Sequence, residues 1–269
     1  MKLRLRHLIY IPSVFFLIVT GYPFLWLIGG TVSTVQQYGR ISFLPIGFTL
    51  EHYIGLFANH NFPLYIANTL IFAITVTVIS VKFNSFAAYA LARLEFPGKN
   101  IIFMIILSTM MIPFSVVVIP LFIIIRSMGL TNSLWALILP GMTSGFGIFL
   151  LRQFYLGIPK ELEEAAKIDG MSYLGIYFSV IIPLSKPILM ASAMFAFLGA
   201  WNSYLWPLVV NSREDYWVIT TGIASFFTDR TVDWNMIFAG AAVSIIPTII
   251  LFALFQRQLI EGVKLSGIK

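Results

Sequence analysis

The stretch that decides the fold is PKELEEAAKIDGMSYLGIYFSVIIPLSKP, from Pro159 to Pro187. It is a charged segment that lies between apolar runs long enough to cross a bilayer. The whole chain is 59% hydrophobic and only 10% charged, which is too apolar for the surface of a soluble protein. The composition therefore predicts an all-α membrane protein in which this one segment stands outside the lipid.

Apolar runs of about 20 residues, the length needed to cross about 30 Å of hydrocarbon, define the predicted spans. They are residues 8–30, 64–91, 101–125, 134–151, 187–210 and 236–255. The first run follows basic residues, as a signal peptide does, but it is longer than a signal-peptide core and no small-residue cleavage site follows it. We predict one transmembrane domain over residues 1–269, with six transmembrane helices and a charged loop at 152–186.

The positions of lysine and arginine predict the orientation, because cytoplasmic loops of membrane proteins hold most of the positive charge. With the N-terminus inside, the basic residues that fall on the outer side are Arg40, Arg126, Arg213 and Arg230. Both termini and the charged loop are therefore predicted to be cytoplasmic. The high pI reflects this topology, and no nucleic-acid recognition module is present.

Several classes of site are excluded or disfavoured. The sequence has no cysteine, so disulfides and thiolate metal sites are excluded. His7, His52 and His60 lack metal-ligand spacing and are expected to be solvated or interfacial. No P-loop is present, and no nucleophile with a base lies at membrane depth. We predict no catalytic residue, no metal and no cofactor bound by this chain.

The start of the charged loop is predicted to form a short helix. Pro159 suits the first turn, Glu161, Glu163 and Glu164 favour the positive end of the helix dipole, and Gly170 supplies a stop. Small and apolar residues recur at three- and four-residue spacing, which would let another surface approach closely. They are Leu162, Ala165, Ala166 and Asp169. The alternative is a capped connector that only holds two spans apart.

The same segment resembles a known family. Glu164, Ala165, Ala166 and Gly170, followed by Val180, Ile182 and Pro183, resemble the EAA loop of ABC-importer permeases. In that loop Glu-Ala-Ala and a glycine precede Ile-x-Leu-Pro, and this chain differs only by apolar replacements. Over nearly its whole length the sequence is similar to the inner-membrane permeases of maltose-type carbohydrate importers. The stretches that carry this wider similarity include Asn68–Thr69, residues 88–93 (AYALAR), residues 149–154 (FLLRQF) and Trp201–Asn202.

The resemblance implies a MetI-like, type I importer architecture. In the family the short helix of the EAA loop is the coupling helix, which binds in a groove of a separate ATP-hydrolysing subunit. That role would fall to Glu164, Ala165, Ala166, Asp169 and Gly170. ATP and Mg would be bound by a partner ATPase dimer. A second permease, an extracytoplasmic solute-binding protein and membrane lipid would complete the assembly in a bacterial or archaeal cell membrane, where this chain would form half of a carbohydrate path.

Candidate residues of the solute path are Trp201, Asn202, Ser203 and Tyr204, which with Trp206 form an aromatic and amide cluster, and Asn68 is added to them. Aromatic faces suit the C–H side of a sugar ring, and amide and hydroxyl groups suit its hydroxyls. The alternative is an external interfacial belt of aromatic residues. The prolines and glycines that interrupt most spans suit either a path or close helix packing.

Lys82 is the most unusual residue of the second predicted span. It precedes Arg93 by eleven residues, about 16 Å along a helix, which places it near the hydrocarbon middle. We expect it to face a cavity, a cluster of carbonyls or the partner permease, and we include it in the path. The alternative is a lysine that reaches the interface because its helix is tilted.

Two further alternatives stay open at the level of sequence. An ion-coupled secondary transporter would normally carry an intramembrane acid, and the acidic residues here lie in loops or near span ends. This counts against proton coupling but not against sodium. The external stretch Asn211–Asn235 either receives a solute-binding protein or is a plain solvated loop.

Overall fold

The structure, a computed structural model, describes residues 2–34, 45–227 and 232–266, which are mainly helical. The helices are α1 Lys2–Val32, α2 Glu51–Ala58, α3 Phe62–Arg93, α4 Lys99–Thr109, α5 Phe114–Ser127, α6 Leu134–Gly141, α7 Gly145–Leu156, α8 Lys160–Ile168, α9 Tyr173–Ile176, α10 Ile182–Leu184, α11 Lys186–Trp201, α12 Leu205–Val210, α13 Ile219–Ala224 and α14 Trp234–Ser266. A π-helical turn over Tyr177–Ile181 joins α9 to α10. Arg40, Arg230 and Lys269, which bear on the predicted orientation, lie outside the described residues.

Among the described residues, four segments are long and apolar enough to cross a membrane. They are Pro12–Val32, Phe62–Arg93, Leu134–Leu156 and Trp234–Gln256. They confirm the apolar helices predicted at 8–30, 64–91, 134–151 and 236–255. The third of them consists of α6 and α7 with a short break between them.

The other two predicted spans are not single helices in the structure. Helices α4 and α5 meet at 101°, because Pro113 before α5 is extended, with ψ of 137°, and has no N–H to continue the helix. The run at 187–210 ends as a helix at Trp201, and α11 instead forms a pair bent by 81° with Tyr173–Leu184. Six spans result if each bent pair is one span, so that number stays a prediction.

The chain divides into two compact units, residues 1–66 with 219–247 and residues 67–218 with 248–269. In the first unit, the Ser33 carbonyl accepts a hydrogen bond from Asn235 Nδ2 at 3.2 Å. His52 is half-buried, and its Nε2 lies 2.9 Å from the same carbonyl, so that a solvated or interfacial His52 stays a prediction. The prediction of one domain over residues 1–269 stays a prediction.

The core of the second unit joins α3, α7, α8 and the segment at 173–181. Its buried residues are Ala88, Tyr89, Ala92, Leu151, Tyr155, Ile158, Ala166, Ile176, Tyr177 and Ile181. At its centre the Ser85 hydroxyl is hydrogen-bonded to the hydroxyls of Tyr155 at 2.6 Å and Tyr177 at 2.7 Å. Because a buried hydroxyl without a partner is costly, this network fixes the register of three chain segments.

Replacing Ser85 with alanine is expected to lower the free energy of unfolding by about 1–3 kcal/mol, because two buried tyrosine hydroxyls lose their common partner. The measurement is the melting temperature in detergent. Ser108→Ala is the matched control, because the Ser108 hydroxyl is exposed and donates to a carbonyl of its own helix. Equal melting temperatures for the two variants would contradict the buried network.

Candidate functional site

The short helix predicted in the charged loop is present as α8, Lys160–Ile168. Pro159 directly precedes it with ψ of 132°, so this proline caps the helix and does not form its first turn. Glu161 and Glu163 lie in the first turn, near the positive end of the helix dipole. Beyond the helix, Gly170 has φ of +82°, a left-handed conformation that favours glycine and ends the helix as predicted.

A buried ion pair fixes α8 to the end of α3. Arg93 Nε lies 2.9 Å from Glu163 Oε1, and the two side chains are only 3% and 8% exposed. Arg93 also donates hydrogen bonds to the backbone carbonyls of Tyr155 and Ile158, at and just beyond the end of α7. Buried charges are tolerated when they are paired, as these two are, and the Arg93 guanidinium also has two hydrogen-bond acceptors. One guanidinium therefore holds α3, α7 and α8 together.

The residues predicted to couple to an ATPase fall on two faces of this segment. Glu164, Ala165, Asp169 and Gly170 are exposed. Ala166 is buried in the core, on the same side as Glu163. The predicted stripe is therefore divided, because Ala166 packs inward while Leu162, Ala165 and Asp169 point away from the chain.

The open side of α8 combines apolar and acidic residues. Ile168 is 87% exposed, the most exposed large apolar side chain described. We define the α8 face as Leu162, Glu164, Ala165, Ile168 and Asp169, five exposed residues on the outward half of the helix, with Leu162 and Glu164 at its two edges. An exposed apolar patch with a polar rim is typical of a protein interaction site.

A cavity of about 410 Å³ lies in the second unit. One side of it is formed by α3, where Phe72, Val76, Ser80 and Asn84 repeat every four residues and share a face. The remaining lining residues are Phe114, Leu137, Pro140, Gly141, Thr143, Ser144, Phe146, Gly147, Ser192, Phe195, Ala196, Gly199, Ala200, Ser203 and Trp206. Aromatic rings with scattered hydroxyl groups suit a small polar ligand that has apolar faces.

Asn84 connects α3 to the break between α6 and α7. Its Oδ1 accepts hydrogen bonds from Thr143 Oγ1 at 2.8 Å and from the Ser144 backbone N–H at 3.1 Å. Gly147 makes this approach possible, since a Cβ there would lie 2.3 Å from Asn84 Nδ2. Backbone groups freed by a helix break at membrane depth need such partners. Asn84 therefore stabilises the break that forms part of the cavity wall.

The predicted cluster at 201–204 is not brought together in the cavity. Ser203 lines it. Trp201 is buried and stacks on Phe197, with ring centroids 5.6 Å apart. Asn202 is exposed and its Nδ2 donates to the Leu198 carbonyl, while Tyr204 is also exposed. The role of these residues in a solute path stays a prediction.

Asn68 and Lys82 lie on α3 but away from the cavity lining. Asn68 is buried, and its Nδ2 donates to the backbone carbonyls of Asp215 at 2.8 Å and Trp217 at 3.0 Å. It thereby holds the loop that contains these two residues against α3. Lys82 is exposed. It lies two residues from both Ser80 and Asn84, about 200° around the helix, and so on the side opposite the cavity.

Sequence reasoning missed most of the polar residues that line the cavity. They are Ser80, Thr143, Ser144 and Ser192. Trp206, a member of the predicted aromatic cluster, does line the cavity, and its Nε1 donates to the Ala136 carbonyl at 3.0 Å. The four-residue repeat from Phe72 to Asn84 was a usable signal for one wall. No local pattern marks Ser192 as its neighbour.

Comparison with known proteins identifies the family. Residues 83–264 match the model of the binding-protein-dependent transport system inner membrane component. The chain is 34% identical to the arabinooligosaccharides transport system permease protein AraQ of Halalkalibacterium halodurans, over 98% of this chain and 97% of that protein. It is 30% identical to the trehalose/maltose transport system permease protein MalG of Thermococcus litoralis, again over 98% and 97%.

A solved structure agrees with this assignment. A chain of a bacterial ABC transporter involved in the import of the acidic polysaccharide alginate matches with a TM-score of 0.84 and 25% identity, over 95% of this chain and 97% of that chain. The present chain belongs to the family of binding-protein-dependent transport system inner membrane components. The resemblance inferred from the charged loop is confirmed.

Removing one partner of the buried ion pair is expected to destabilise the folded protein. Glu163→Ala leaves the Arg93 guanidinium uncompensated and should lower the free energy of unfolding by about 3–5 kcal/mol. Glu161→Ala, an exposed acid of the same turn, should change it by less than about 0.5 kcal/mol. Thermal unfolding in detergent measures both, and similar losses for the two variants would contradict the anchoring role of Glu163.

Proposed function

We propose that this chain is one of two permease subunits of an ATP-driven importer that carries a carbohydrate across a bacterial or archaeal cell membrane, with both termini cytoplasmic. Family membership and relatives whose names refer to arabinooligosaccharides and trehalose/maltose support the assignment. The observation that carries it is the placement of α8: Glu163 binds it to Arg93 of α3, and the residues of the α8 face are exposed. An ion-coupled secondary transporter is not favoured, because the family is one of binding-protein-dependent transport systems.

In this proposal the α8 face binds a partner ATPase dimer, which holds ATP and Mg. The chain itself is a transport subunit and not an ATPase. Movement of the ATPase displaces α8, and the Arg93–Glu163 pair passes that displacement to α3. The carbonyls that Arg93 binds pass it to the end of α7. The cavity between these helices then opens alternately to the two sides of the membrane as the populations of the two states shift.

The cavity supplies this chain's half of the solute path, and the second permease supplies the other half. Its aromatic walls and hydroxyl groups suit the apolar faces and hydroxyls of a sugar. The exposed residues at 212–215, which include the Arg213–Asp215 ion pair, are the proposed contact for the solute-binding protein. Asn68 holds that loop in place through two backbone carbonyls.

Cross-linking tests the docking of the α8 face. The chain has no native cysteine, so Ala165→Cys provides a single thiol for a thiol-specific photoreactive reagent. We expect an adduct with the ATPase subunit whose yield changes when ATP is added. Met128→Cys, an exposed position beyond α5 that is predicted to be external, should give none. An Ala165 adduct unaffected by ATP and by Glu164→Ala, or equal adducts at both positions, would contradict the proposal.

Filling the cavity tests the solute path. Gly199 lines the cavity and a Cβ there meets nothing within 4 Å, so Gly199→Leu should fit into the open space without disturbing α11. We expect sugar uptake to fall by about tenfold or more, while the melting temperature holds or rises, because leucine favours a helix over glycine. Gly199→Ala is the matched control and should retain most uptake. Unchanged uptake by the leucine variant, assayed over a panel of sugars with the binding protein present, would contradict the path.

A further inference from the structure

Lys82 occupies a position that the proposed mechanism does not use. It lies on the exposed side of α3, in line with the exposed apolar residues Ile71, Ile74 and Val78 at helical spacing. Within residues 2–34, 45–227 and 232–266, no hydrogen bond or ion pair reaches its ammonium group. A positive charge thus interrupts an apolar stripe that points away from the chain.

Helix geometry makes it difficult for this lysine to reach water. The nearer end of α3 is Arg93, about 16 Å away along the axis. Side chains on an α-helix lean toward its N-terminus, so the Lys82 side chain starts out directed away from that nearer end. A lysine at this depth on a lipid-facing surface is unfavourable, and such residues normally face protein and are paired.

A second copy of this chain would not supply the missing charge. In the described part of the chain, the acidic residues lie in loops, in short helices or at helix ends, and none lies at the depth of Lys82. They are Glu51, Glu95, Glu161, Glu163, Glu164, Asp169, Glu214, Asp215, Asp233 and Glu261, the last beyond the apolar span Trp234–Gln256 of α14. A copy related by symmetry would instead bring lysine toward lysine.

We infer that the stripe of Ile71, Ile74, Val78 and Lys82 binds a transmembrane helix of the second, non-identical permease subunit, which presents a carboxylate to Lys82 within the membrane. This contact lies on the outer side of α3 and is separate from the contact of the two subunits along the solute path. This inference rests on the proposed function for the existence of that subunit. The apolar residues pack against the partner helix, and the buried charge pair selects the correct partner. The lysine is then a residue of subunit recognition and not of the solute path.

The test uses the complete transporter purified through a tag on the ATPase subunit. Lys82→Met should reduce the second permease recovered with this chain by at least fivefold, whereas Lys82→Arg should retain most of it, because the charge is kept. Val78→Met is the matched control on the same stripe and should recover wild-type amounts, since the position stays apolar.

Photo-cross-linking keeps the inference falsifiable if Lys82→Met does not fold. A photoreactive phenylalanine analogue at position 78 should form an adduct with a peptide of the second permease that carries Asp or Glu within a span. The same analogue at Ile105, an exposed position on α4, should give mainly lipid adducts. Adducts from position 78 with lipid alone or with a second copy of this chain, or full recovery of the second permease with Lys82→Met, would overturn the inference while the proposed function stands. Absence of any second permease from the wild-type preparation would overturn both.

Discussion

The ion pair between Arg93 and Glu163 is the constraint on which the rest of the functional architecture depends. Arg93 ends the long helix α3, and Glu163 lies on α8 outside the predicted spans. Because both side chains are buried and the guanidinium also binds two carbonyls at the end of α7, the three elements are held by one group. Removing either charge leaves the other one buried without compensation. The opposite side of α8 is thereby left free to bind another protein.

The break between α6 and α7 borders the cavity and is stabilised by neighbouring side chains. Asn84 satisfies groups at the break between α6 and α7, and Gly147 gives it room. Gly141 also lines the cavity, and a Cβ there would lie 3.0 Å from a methyl group of Val76. Close packing, one of the two sequence-based interpretations of such residues, therefore applies at these positions, and the solute path stays a prediction.

Features that depend on neighbouring residues were predictable from the sequence, and features that depend on distant ones were not. The helix α8 and its end at Gly170 follow from local capping and charge, and four apolar spans follow from length and composition. The pairing of Arg93 with Glu163 joins residues far apart in the chain. So does the attachment of Asn68 to the carbonyl of Asp215, across 147 positions. The sharp bend before Pro113 was visible only as a proline, because its angle is set by packing.

The central claim is that α8 and α3 move as one body. Spin labels at Ile168 on α8 and at Phe83 on α3, two exposed positions in a chain without native cysteine, measure the distance between these helices by pulsed electron paramagnetic resonance. In the assembled transporter, the account predicts the same narrow distance distribution with and without ATP, and a broad one after Glu163→Ala. A distance that shifts with ATP while Arg93 and Glu163 are intact would contradict it.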